Sequence, residues 1–141
     1  PHSFDGARLS AIYHDDSPDL TTTRCTLQDA FNLHHSMSMY ELQVAKSVCT
    51  MVARRSARLC AAAMVAILRR EFENAASPSE KIEISVDGST FTKFDGYRQL
   101  VRETIDELLD DPSLSSRVAI TLAHGSSVIG AAVVAAVETS S

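Results

Sequence analysis

The chain has 141 residues, 45% of them hydrophobic and 22% charged, which is enough for one sizeable core and too apolar for a disordered chain. A formal net charge of -5 argues against a general nucleic-acid binder, which would carry a basic face. The three cysteines, Cys25, Cys49 and Cys60, are odd in number and widely spaced, so they suggest neither a disulfide framework nor a zinc ribbon and point to a reducing, cytoplasmic setting.

The longest apolar runs, 59–68 and 128–137, each reach about half of the roughly 20 residues that a membrane-crossing helix needs, so no membrane partner is expected. The start, Pro1-His2-Ser3-Phe4, has neither a basic n-region nor an apolar h-region, and reads as an internal start rather than a leader peptide.

Residues 4–13 read as a short helix with Phe4, Leu9, Ile12 and Tyr13 on one face. Asp15-Asp16-Ser17-Pro18-Asp19 is a turn cluster. Residues 20–33 read as a second short helix, although Thr21-Thr22-Thr23 is a poor helix interior. Ser38-x-x-Glu41 has the spacing of a capping box and opens the longest element. Leu42, Ala45, Cys49, Val52, Ser56, Leu59, Ala63 and Ile67 recur at helical spacing as its expected inward face. This helix should run about 30 residues, or roughly 45 Å. Its middle, from Ser56 to Ala63, is rich in small side chains that permit close approach to a sheet or another helix, so its second half is expected to be buried.

A linker over 74–81 contains Pro78, which prevents helix continuation. Ile82, Ile84 and Val86 alternate with polar residues and predict a strand. Asp87-Gly88-Ser89 reads as a tight turn and 90–93 as β-favourable, so a hairpin is expected. Asp95 is placed to cap a helix over 96–109, with Tyr97, Leu100, Val101, Ile105, Leu108 and Leu109 inward. Residues 110–116 read as a loop, Val118, Ile120 and Leu122 as a strand, and His124-Gly125-Ser126-Ser127 as a turn opening onto an apolar helix over 128–137. The class is α/β: a small sheet of about three strands flanked by helices, including one long helix. So little sheet leaves apolar helix uncovered, and further chain on the N-terminal side is expected to complete it.

Two turns qualify as candidate ligand sites. Val86-Asp87-Gly88-Ser89-Thr90 and Ala123-His124-Gly125-Ser126-Ser127 each follow a strand and combine glycine with hydroxyls, and the second opens onto a helix whose N-terminus favours anions. Such turns are common, so spacing alone makes neither a site. His34-His35 points two ways and suits a solvated loop better than a metal. Cys49 and Cys60 lie on one helix face and read as core. Arg54, Arg55 and Arg58 read as a solvated or carboxylate-paired face, and Asp106, Glu107, Asp110 and Asp111 as a solvated helix end. No Ser/His/Asp arrangement, Walker lysine motif or zincin motif occurs. The residues alone describe an α/β half-domain with two candidate ligand turns.

Several strings go further. The segment from Ala53 to Met64 (Ala-Arg-Arg-Ser-Ala-Arg-Leu-Cys-Ala-Ala-Ala-Met) resembles the arginine- and alanine-rich helix of hexokinases. Val86-Asp87-Gly88-Ser89-Thr90-Phe91, with Tyr97 after it, resembles the family's hairpin and following helix, and Gly130-Ala131-Ala132-Val133 its final helix. Ser3-Phe4-Asp5-x-x-x-Leu9-Ser10 and Asp16-Ser17-Pro18-Asp19-Leu20 are similar to its fungal-style segment after the sugar-contacting region. The matches occur in the family's order and span nearly the whole chain.

The resemblance implies an actin-like ATPase (ribonuclease H-like) fold, with residues 1–141 as the C-terminal part of the large domain. It implies transfer of the ATP γ-phosphoryl group to the 6-hydroxyl of a hexose with Mg2+, a glycolytic step. ATP contacts carry over to Ser10, Gly88, Ser89, Thr90 and Lys93, with Gly125 and Ser126 beside the adenosine. The family's phosphate loop, catalytic aspartate and sugar contacts lie upstream. This segment is therefore expected to hold no catalytic or metal-ligating residue, to be inactive alone, and to work with the remainder of the hexokinase chain. Three positions depart from the family pattern: Gly6 replaces a threonine, His124-Gly125-Ser126-Ser127-Val128-Ile129 replaces an acidic, more glycine-rich turn, and Ala61 and Ala63 stand where glycine is common. These departures support an alternative: a catalytically impaired hexokinase-like regulatory or sugar-sensing protein.

Overall fold

The structure, a computed structural model, describes residues 4–75, 77, 79–123 and 135. Helix α1 (Gly6–Tyr13) begins where the Asp5 carboxylate accepts the Arg8 N–H at 3.1 Å, the bond expected of an N-cap. Helix α2 (Thr21–Phe31) is entered from Leu20 and left at Asn32, both in the left-handed region. The three threonines sit in its first turn, where a hydroxyl helps rather than hinders.

Asp15 explains why that entry is fixed. Its buried carboxylate accepts hydrogen bonds from the N–H and hydroxyl of Ser17 and from the N–H (2.6 Å) and hydroxyl (2.7 Å) of Thr23. Burial pushes the carboxyl pKa up, but the bonds from Ser17 and Thr23 outweigh it and hold it at about 2. The unfolded value is about 3.9, so the stabilisation is fully present above about pH 4 and is lost as pH falls toward 2. Thermal melts between neutral and acid pH should show the wild type losing about 2 kcal/mol more than Asp15→Asn over that window. Equal losses would mean that the carboxylate contributes nothing through its charge.

Helix α3 (Met39–Asn74) has 36 residues, a little longer than its sequence pattern suggests, and both arms of the Ser38/Glu41 capping box are formed. Its packed face differs from the expected one. Leu42 is buried as predicted, but the remaining buried positions are Ala53, Ala57, Ala61, Val65 and Leu68, while Val52, Leu59 and Ile67 are exposed. Hydrophobic periodicity alone selects the bulkier stripe. Close packing selects the alanines, because only small side chains let α3 approach α5 (Tyr97–Leu109). The larger apolar side chains, Val44, Val48, Met51, Val52, Leu59 and Ile67, form a stripe on the other side.

The expected hairpin is absent. Strand β1 (Ile82–Val86) pairs in parallel with β2 (Val118–Leu122), Ile82 opposite Val118 and Val86 opposite Leu122. Residues 89–93 form the short helix α4 (Ser89–Lys93) instead of a return strand. There the Thr92 hydroxyl folds back onto the Ser89 carbonyl at 3.2 Å, and Phe94 at the helix end is buried. Burial of that ring overrides the β-favourable local composition. A parallel partner needs a helical crossover, supplied by α4, α5 and α6 (Pro112–Ser115). The described residues thus contain two strands rather than about three.

Two further expectations change. Asp95 does not cap α5: Gly96, at φ 74, occupies the N-cap, and no side chain bonds there. The loop over 110–116 contains α6, which the Asp111 carboxylate caps by accepting the Ser113 N–H at 2.8 Å. The acidic helix end is also less solvated than expected. Asp106 binds Arg102 and Ser115, and Glu107 pairs with Arg58 at 2.8 Å. The exposed Arg58–Glu107 pair contributes up to about 1 kcal/mol.

The main core joins the α3 alanines, Val65 and Leu68 to Phe94, Tyr97, Val101, Ile105, Leu109 and Val118, and a smaller one gathers Leu20, Met37 and Leu42. Cys60 is half-buried against the main core, whereas Cys49, also half-buried, packs against neither core; burial pushes both thiols up. His34 and His35 are exposed in the loop before α3. Among the described residues no helix is long and apolar enough to cross a membrane. The predicted turn at Gly125 and Ser126 and the helix over 128–137 lie outside the described residues.

Candidate functional site

The site is built where the start of α1 meets α4, the short helix that follows β1. Ligands of parallel sheets lie beyond the carboxyl ends of the strands, and Gly88, Ser89, Thr90 and Lys93 follow the carboxyl end of β1 directly. Gly88 adopts φ 151 and ψ 147, a conformation that only glycine holds without strain. All four residues are exposed, so two hydroxyls and one ammonium face outward from a short, fixed turn.

Helix α1 lies against this turn. A Cβ built on Gly6 would come within 3.9 Å of the Lys93 Cβ, so Gly6 lies against the lysine side chain. The Asp5 carboxyl is lowered by the Arg8 N–H bonded to it, and the Lys93 and Arg8 charges add to that effect. Ser10 is buried, 7% exposed, and its Oγ accepts the Asp95 N–H at 3.1 Å. It therefore ties α1 to the turn between α4 and α5. Its own hydroxyl hydrogen remains available to donate.

Of the seven predicted site residues, Gly88, Ser89, Thr90 and Lys93 lie in one short stretch after β1, and Ser10 bonds to Asp95 just beyond it. Gly125 and Ser126 follow β2 in the chain and lie outside the described residues. Beside the turn, an open depression of about 290 Å³ is lined by Phe91, Thr92, Phe94, Asp95, Gly96, Arg98, Gln99 and Leu122, the last at the carboxyl end of β2. Neither this depression nor a larger groove of about 470 Å³, along Ser17, Lys46, Thr50 and Met51, is lined by any of the predicted site residues.

Sequence reasoning missed His14. Its Nε2 lies 3.0 Å from the Asp95 carbonyl oxygen, which can only accept, so Nε2 carries the proton and donates. Nothing local signals this contact, because its partners are far apart in the chain. Among the described residues no group of histidine, cysteine, aspartate and glutamate is arranged to hold a metal ion. The exposed groups on offer are hydroxyl and ammonium donors, the kind from which phosphate or ribose oxygens accept.

Comparison with known proteins gives the family of the chain. The family model described as Hexokinase matches residues 1–137. The chain belongs to the hexokinase family. Hexokinase-7 of Oryza sativa subsp. japonica is 34% identical over 128 residues, covering 91% of this chain and 27% of the relative. Hexokinase-2 of Arabidopsis thaliana is 33% identical over 130 residues, covering 91% of this chain and 26% of the relative. A solved structure titled "Crystal structure of Hexokinase" superimposes with a TM-score of 0.69 at 20% identity, over 87% of this chain and 27% of that one, a likeness of fold. This hexokinase segment spans about a quarter of the length of the relatives it matches.

Proposed function

We propose that this segment supplies the nucleotide side of an ATP-dependent hexokinase that phosphorylates glucose or another hexose at its 6-hydroxyl. The supporting observation is the packing of α1 against α4, which follows the carboxyl end of a parallel strand, with Ser10 bonded to Asp95 just beyond α4, in a chain of this family. The exposed Ser89 and Thr90 hydroxyls and the Lys93 ammonium suit the oxygens of ATP. Magnesium would arrive on the nucleotide, where it neutralises phosphate charge. The catalytic base and the hexose contacts belong to the rest of the parent chain. The three free cysteines fit a cytoplasmic setting.

Calorimetric titration of the full-length parent with ATP-Mg2+ and with glucose, followed by a glucose-dependent ADP assay, tests this reading. Binding of both and turnover are expected. Glucose binding without ATP binding would select the second reading, a regulatory or sugar-sensing hexokinase-like protein. That reading draws support from Gly6, which places no hydroxyl beside Lys93.

A single substitution probes the turn itself. Ser89→Ala should weaken ATP binding by the full-length parent by about 1 kcal/mol, the worth of one hydrogen bond. An unchanged dissociation constant would remove Ser89 from the site.

A further inference from the structure

We propose that His14 is a positioning residue for nucleotide binding: together with Ser10 it clamps the backbone of Asp95 and thereby sets α4 against α1. The inference rests on the nucleotide-side reading above. Two observations carry it. The Asp95 peptide is held on both sides by α1 or the residue that ends it. Ser10 Oγ accepts its N–H at 3.1 Å and His14 Nε2 donates to its carbonyl at 3.0 Å. The imidazole, though exposed, rests against aromatic neighbours. It meets the rings of Tyr13 and Phe94 edge-on, with centroids 4.9 and 6.2 Å away, and a Cβ at Gly96 would come within 3.5 Å of its Nε2.

Asp95 directly follows Phe94, the C-cap of α4. Whatever fixes the Asp95 peptide therefore fixes where Ser89, Thr90 and Lys93 stand relative to Ser10. Two segments this far apart in the chain can present donors to one ligand only if that spacing is kept. His14 faces the peptide and not the depression, so it is separate from the groups that would touch nucleotide.

The test uses the full-length parent and two substitutions that separate the ring from its donor. His14→Phe keeps a ring against Tyr13 and Phe94 but removes the hydrogen bond. His14→Gln supplies an amide donor at similar reach without the ring. We expect His14→Phe to raise KM for ATP-Mg2+ about fivefold, the weight of one hydrogen bond, with kcat and the hexose KM within about twofold of wild type. Amide hydrogen exchange across 89–96 should quicken in the same variant. His14→Gln should return both readouts toward wild type. A parent that binds ATP, but whose His14→Phe variant keeps the wild-type ATP KM, would overturn the clamp alone. Loss of ATP affinity that His14→Gln does not restore would assign the effect to ring packing and also overturn it. A wild-type parent that fails to bind ATP would overturn the nucleotide reading and the clamp's role in it together.

Discussion

Phe94→Ala will destabilise the fold by about 3–5 kcal/mol, the range for deleting a buried aromatic ring. Phe94 is 2% exposed and stands at the junction of α4 and α5. Its ring meets Tyr13 edge-on at 5.4 Å between centroids and Tyr97 at 5.5 Å. Truncation therefore opens a cavity bordered by α1 and by the helices on both sides of the turn, and the backbone bonds at Asp95 prevent the walls from collapsing into it. Urea denaturation of the full-length parent and the variant measures the difference. ATP affinity should fall with it and hexose affinity should not, because the cavity lies beneath the Ser89–Lys93 turn. A loss below about 1 kcal/mol, no more than a typical surface change, would show that the junction is held by its backbone bonds and not by the ring.

Ala57→Leu is expected to be nearly as damaging, at about 3 kcal/mol, the upper end of overpacking. Ala57 is 1% exposed on the face of α3 that meets α5, between Ala53 and Ala61, which are fully buried. Three further carbons here must push α5 away or spill into the groove of about 190 Å³ that Ala57 lines with Arg58, Thr104 and Glu107. Ala57→Gly separates volume from helix preference: glycine costs a helix about 1 kcal/mol, whereas leucine is a good helix former. Contact with α5 ranks leucine as the worse substitution, and propensity ranks glycine as the worse. A parent in which glycine is the more harmful would show that α3 and α5 are not closely packed at this point.

That alanine face also marks the limit of what the sequence discloses. Elements with strong local signals were legible: the Ser38/Glu41 box, the alternation of Ile82, Ile84 and Val86, and the inward set of α5 are all formed. Which face of α3 packs was not, because two stripes of that helix are apolar and only the partner helix decides between them. The hairpin expectation failed for a related reason. The residues after Gly88 favour a strand locally, but the pairing partner of β1 lies beyond three helices, and burial of Phe94 bends the intervening chain into α4. At the site, the glycine turn was visible as a string, whereas the bonds from Ser10 and His14 to Asp95 join positions that no local pattern connects.

The parallel pairing has a consequence during synthesis. A hairpin arm would meet its neighbour within microseconds of leaving the ribosome. Strand β1 instead waits until α4, α5 and α6 have been made, on the order of seconds at roughly 5–20 residues per second. Through that interval β1 lacks the neighbour on its β2 edge, and exposed strand edges of this kind recruit other nascent chains. Glu83 and Ser85 alternate with Ile82, Ile84 and Val86 and are exposed in the finished fold. A charge within the waiting strand, at Glu83, acts as a gatekeeper against self-pairing until β2 arrives.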